Sequence, residues 1–244
     1  VNTIQWALYY PAVLNPDELN LTPVETAALA SALDHYRAGD LLAALASLPV
    51  EAPNASDPAI TFRAALELAV GRVDQTEARL KSLPPQNSSV RALYELIAAV
   101  KGQSSVADVP PQTASQLLAR SYLLQSRSQL DEALAVARHA AGLAPGFGFA
   151  HARVAELEFA FEHRRAALAA LDTALELSPR LAQAQAVRGF VLLEQGDTSA
   201  ALAAFNRARE LDAALGNAWL GRGLCLLRQR DFAEARGAFQ AAAA

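Results

Sequence analysis

The sequence has no methionine, one cysteine and two lysines in 244 residues. A lone Cys225 excludes an internal disulfide. No uninterrupted apolar run approaches the roughly 18 residues of a membrane-spanning helix, although 52% of the chain is hydrophobic. Alternating, β-branched runs are nearly missing, so strands are not expected. A basic excess is missing too: residues 1–112 carry 12 acidic and 7 basic side chains, and residues 113–244 carry 13 acidic side chains and 14 arginines. Neither half has the footprint of a nucleic-acid binder. There is no Gly-x-Ser-x-Gly elbow, Walker loop or dinucleotide fingerprint. His35, His139, His151 and His163 form no i, i+4 pair, so no metal site is expected. Glu156 and Glu158 lie two apart on a predicted helix and point to different sides, which is poor geometry for paired acid–base work. No catalytic residue, metal or cofactor is therefore expected. Val1 opens the chain without a methionine or a signal-like apolar core, so it reads as a mature form or a piece of something longer.

What the sequence has is alanine in register. Cut at Ala114, Gly148, Ala182 and Gly216, the chain falls into four segments 34 residues apart, 114–147, 148–181, 182–215 and 216–244. Position 20 holds Ala133, Ala167, Ala201 and Ala235. Position 27 holds Ala140, Ala174, Ala208 and Ala242, and position 8 holds Ser121, Ala155, Gly189 and Gly223. Position 24 grows along the series, through Ala137, Leu171, Phe205 and Phe239. Small residues in fixed columns are what two closely crossing helices require. By period and by column this resembles the tetratricopeptide repeat. The resemblance implies an all-α fold, an α-α superhelix of antiparallel helical hairpins, and a protein or peptide partner in place of a substrate.

The first half repeats less regularly. Thr22, Pro23 and Glu25 signal a helix start, with Thr22 as N-cap. Glycines at 39, 71 and 102 break three further apolar stretches, and residues 24–112 read as degenerate hairpins of the same design. The partner helix of the third is not visible in residues 103–111. Residues 1–23 do not repeat. Their aromatic and apolar run, Trp6 to Leu14, is closed by Pro11 and Pro16 and reads as an extended segment that needs a surface to lie on. That run resembles the segment ahead of the repeats in bacterial envelope proteins with a ferric-citrate-regulator-like domain upstream. The resemblance implies a fragment of a periplasmic, cell-surface or secreted protein, with a cytoplasmic setting as the alternative. Asn20, Asn54 and Asn87 head glycosylation-type tripeptides in predicted loops.

In this family the first helix of each repeat lines the concave face. Carried over column by column, the wall includes Leu118, Tyr122, Phe149, Phe159, Phe190, Leu193, Leu220, Leu224 and Leu227. An apolar strip of that kind left in water is unfavourable by roughly 25 cal/mol per Å², so something should cover it. A partner helix or apolar peptide is one occupant; burial as ordinary interhelical core is the other reading. The carboxylate clamp of repeats that grip acidic chaperone tails is not matched: Leu118, Tyr122 and Gln183 stand at clamp positions and only Arg153 carries the charge. Arg120, Arg188 and Arg222 at position 7 read as an anion ladder or, preferably, as stems covering neighbouring helices. A second functional expectation is a self-assembling subunit of a filament. It would join head to tail through Trp6, Tyr9 and Tyr10 at one end and the uncapped Phe232 and Phe239 at the other.

Overall fold

The computed structural model describes residues 11–52, 55–103 and 109–243. Among these, thirteen α-helices and one 3-10 turn, Pro16–Glu18, account for the regular structure, with no strand. The first half comprises α1 (Pro23–Arg37), α2 (Leu41–Ala46), α3 (Asp57–Ala69), α4 (Val73–Leu80) and α5 (Ser88–Val100). The second half holds four hairpins: α6 (Ala114–Ser126) with α7 (Leu130–Leu143), α8 (Gly148–Ala160) with α9 (Arg164–Leu177), α10 (Ala182–Glu194) with α11 (Thr198–Leu211), and α12 (Gly216–Arg228) with α13 (Phe232–Ala242). The third unit has no return helix among the described residues, and α5 packs directly on α6.

Helix starts follow local chemistry. Thr22 and Glu25 form a reciprocal capping box on α1, with Pro23 at the first helical position. Ser56, Asn87 and Thr113 cap α3, α5 and α6 by accepting from backbone N–H groups. Asn87, head of one glycosylation-type tripeptide, thus has its side-chain oxygen committed to the start of α5.

The break in every unit is one and the same backbone motif. Gly39, Gly71, Gly102, Ser128, Glu162, Gly196 and Arg230 all have φ between 61° and 88°. In each case the next residue donates its N–H to the carbonyl five residues back, as Asp40 does to His35 and Asp231 to Leu226. This is the Schellman closure of a helix C-terminus, which demands a left-handed residue. Glycine adopts it without strain; Ser128, Glu162 and Arg230 adopt it against a preference of roughly 1 kcal/mol.

Between the paired helices the alanine columns are sealed. Ala133, Ala167, Ala201, Ala140, Ala174 and Ala208 have no exposed surface. Column 8 faces column 24, and their volumes are complementary. A Cβ on Gly189 would stand 2.7 Å from the Phe205 ring, and one on Gly223 2.5 Å from the Phe239 ring. Where column 24 is Ala137, column 8 affords a serine, Ser121.

In a repeat array each unit ordinarily touches only its neighbours; this chain adds a contact between distant units. The end of α1 folds back on the turn between α9 and α10. Ser178 Oγ donates to the Arg37 carbonyl at 2.7 Å, Arg180 N–H to the Ala38 carbonyl at 2.7 Å, and the Arg180 guanidinium to Asp40 at 2.7 Å. Gly39 permits this closure: any Cβ there would sit 2.6 Å from the Leu181 nitrogen.

Column pairing makes a direct prediction. Gly189→Leu should lower stability by about 1–3 kcal/mol through overpacking on Phe205. Gly189→Ser combined with Phe205→Ala, which copies the Ser121 and Ala137 pair, should be less destabilising than the sum of its two single changes. Urea melts of the four proteins measure this coupling; strict additivity would show that the two columns do not face each other.

Candidate functional site

The resemblance assigns the second, fifth, ninth and twelfth positions of α6, α8, α10 and α12 to one concave wall. Over the first two hairpins that wall is partly covered by the chain itself. Pro11, Ala12, Val13 and Leu14 are buried, and Tyr36 of α1 lies fully buried between Phe62 and Phe149, with ring centroids 5.5 and 5.2 Å away. The Tyr36 hydroxyl donates to the Leu14 carbonyl at 2.7 Å, and burial raises its pKa. Asn15 N–H donates to Ser115 Oγ at 2.8 Å. The Glu18 carboxylate accepts from the Ala114 and Ser115 amides at 2.6 and 3.2 Å, closing the N-terminus of α6 from nearly a hundred residues away.

The residues expected in the groove differ in burial. Leu118, Phe149, Phe190 and Leu193 are buried, and Tyr122, Phe159, Leu220 and Leu224 are half-buried. Leu227 is 45% exposed. Phe190 also meets Phe205 edge-on at 4.8 Å, so it belongs to the α10–α11 hairpin as well as to the wall. The most exposed of the nine, Leu227, thus lies on α12. Of the residues expected to self-associate, Phe232 is 64% exposed and Phe239 half-buried over Gly223; Trp6, Tyr9 and Tyr10 lie outside the described residues.

Inside the covered part runs a polar chain. Arg153, with no exposed surface, donates to Ser121 Oγ at 2.9 Å, to the Ser121 carbonyl at 3.1 Å and to Glu156 at 3.0 Å. Its guanidinium lies 3.8 Å from the centre of the Tyr122 ring. Gln183 donates to the other Glu156 oxygen at 3.4 Å. A small cavity of about 90 Å³ opens beside this chain, between Pro11 and Ala12, the Gly39–Leu42 turn, and Tyr122, Phe149, Glu156 and Gln183. The sequence reading noted Arg153 only as a clamp position. The available signal was its column: position 6 is Ala119, Val187 and Gly221 elsewhere, so a charge there stands out.

The position-7 arginines are spent on neighbouring helices. Arg120 pairs with Glu95, whose own pKa is raised by burial, Arg188 with Asp172 at 3.1 Å, and Arg222 with Glu234 at 3.0 Å. Burial pushes the Cys225 thiol up to about 11, which leaves it protonated and unreactive at neutral pH. No cluster of potential metal ligands occurs among the described residues, and no described helix is long and apolar enough to cross a membrane. The buried ion pair yields a test. Arg153→Met alone should cost about 3–5 kcal/mol, because the buried Glu156 charge loses its counter-ion, while Arg153→Met with Glu156→Leu should recover most of it. Equal denaturation midpoints for the two variants would show that the pair is not electrostatically coupled.

A tetratricopeptide-repeat family model matches residues 155–215 and 191–244. A search of curated proteins gives no match. Among solved structures, the chain is similar to a tetratricopeptide repeat protein from Parabacteroides merdae, at 17% identity over 84% of this chain and 86% of that one, with a TM-score of 0.56. It is also similar to MamA, at 18% identity over 71% and 92% of the two chains and a TM-score of 0.47. A third is YrrB, described as a tetratricopeptide-repeat protein with an unusual peptide-binding site, at 16% identity over 77% and 84% and a TM-score of 0.44. At these identities the likeness is one of fold. Residues 155–244 are thus tetratricopeptide repeats, and the helix-breaking turn that ends the first helix of each of them recurs in every unit back to Gly39.

Proposed function

We propose that this solenoid is a non-catalytic scaffold that holds a partner helix or apolar peptide on the uncovered stretch of its concave wall. Tetratricopeptide-repeat folds are suited to protein–protein interaction; the finer reading rests on one observation. Leu220, Leu224 and Leu227 retain accessible surface at positions 5, 9 and 12 of the last hairpin, while Leu118, Ala152 and Ala186, at position 5 of the other three, are buried. Spaced three and four residues apart on α12, these leucines form one stripe, and a helix or strand that laid its own apolar side on them would remove that surface from water. An envelope or secreted setting, as part of a larger protein, is supported by the Trp6–Leu14 resemblance. A photo-crosslinking residue at position 227 should capture a discrete partner in extracts of the source cells. The same residue at Leu143, comparably exposed at the end of α7, should not. Leu224→Ser with Leu227→Ser should abolish the adduct without moving the melting temperature by more than a few degrees. Equal labelling from both positions would refute the site.

A self-assembling subunit is the second reading, favoured by the exposure of Phe232, 64%, and of Leu227, 45%, on the last hairpin. Because Pro11–Leu14 are buried against the chain's own core, this reading assigns the contact with another copy to Trp6, Tyr9 and Tyr10. Light scattering on the full chain and on a chain beginning at Pro11 separates the readings. Self-assembly predicts growth with concentration only in the former and its loss in Phe232→Ser; two concentration-independent monomers would dismiss it.

A further inference from the structure

The segment that covers the wall is held as a bound peptide is held. It joins no sheet and, apart from one 3-10 turn, no helix. Asn15 is extended, with φ −82° and ψ 115°. Its tertiary hydrogen bonds run to groups distant in sequence: Leu14 carbonyl to the Tyr36 hydroxyl, Asn15 amide to Ser115 Oγ, Glu18 carboxylate to the first amides of α6. Two adjacent apolar side chains, Val13 and Leu14, are sunk at 1% and 0% exposure. Four residues after Leu14, Glu18 supplies the negative charge that the exposed N–H groups of a helix N-terminus favour. Shape, backbone hydrogen bonds and charge are thus all specified at the seat by a ligand that happens to be tethered.

We propose that this seat, bounded by α1, α6 and the start of α8, is an exchangeable peptide site whose partner is an extended peptide of the same chemistry: two adjacent apolar residues followed four positions later by a carboxylate. The tethered segment then acts as an internal competitor. Joined to α1 through residues 20–22 alone, it presents itself at an effective concentration on the order of millimolar, so a free peptide of equal chemistry at micromolar concentration loses to it. A natural partner prevails by adding contacts of its own, for which the cavity beside Pro11 and Ala12 offers adjoining space. The inference rests on the concave wall being a peptide-binding surface, but it concerns a different stretch from the α12 leucines, and neither test uses a residue of the other.

The probe is a fluorescent synthetic peptide of residues 11–20, titrated by anisotropy into the full chain and its variants. In Val13→Asp with Leu14→Asp the tethered segment is expelled, and the peptide should bind at least about tenfold more tightly than to the unaltered chain. The same peptide carrying Glu18→Gln should bind that variant about fivefold or more weakly, the loss diminishing in high salt. Should the double variant fail to fold by circular dichroism, the chain carrying Glu18→Gln replaces it, with an expected gain of about fivefold for the unmodified peptide. A folded variant that takes the peptide no better than the unaltered chain, or one indifferent to the peptide's charge, overturns the proposal. So does an unaltered chain that dimerises with concentration through this seat, as judged by loss of the dimer in Glu18→Gln, because the occupant would then be a second copy.

Discussion

Everything in this molecule depends on how near two helices of a hairpin can approach. The crossing points are occupied by alanines with no accessible surface, and each later glycine of column 8 lies under an aromatic ring from column 24. A close-packed interior tolerates neither a void nor an added methyl group, so the two columns must change together. Along the array they do: Ser121 with Ala137, Ala155 with Leu171, Gly189 with Phe205, Gly223 with Phe239. Phe205 also lies against Gly221 of the following hairpin, so the same rule passes from one repeat to the next.

Where both facing columns are small, the space is filled by something else. Ser121 and Ala137 mark that place, and the Arg153 guanidinium of the next repeat bonds to Ser121 there. A buried cation requires a buried anion, hence Glu156, and the aromatic face of Tyr122 completes its surroundings. The most polar part of the interior is thus a consequence of the smallest side chains. It also fixes the first two hairpins beneath the covering segment, where a purely apolar contact would specify position less sharply.

The closure between α1 and the α9–α10 turn changes what the concave face can do. In an open array all four hairpins would offer equivalent walls. Here Gly39 lets the backbone of one turn touch that of another, residues 11–19 and α1 lie against α6 and the start of α8, and the most exposed of the expected wall residues, Leu227, is on α12. The same sequence column therefore has different roles in different repeats: at position 5 Leu118 is core, while Leu220 keeps accessible surface.

The sequence by itself determined the all-helical class, the 34-residue period, the capped starts and the small-residue columns. Each of these depends on residues near one another along the chain, or on a pattern that repeats. It also marked Gly39, Gly71 and Gly102 as breaks; it did not mark Ser128, Glu162 and Arg230, because a non-glycine residue in the left-handed region leaves no local signature. Only the tertiary structure decided which part of the wall is open. Tyr36 reaching Phe149, Glu18 capping α6 and Arg180 N–H bonding the Ala38 carbonyl are contacts across about a hundred residues or more, each tied to a residue of the irregular first part of the chain. Periodicity carries no information about such contacts, because they follow from where the superhelix brings its first turn back against its middle.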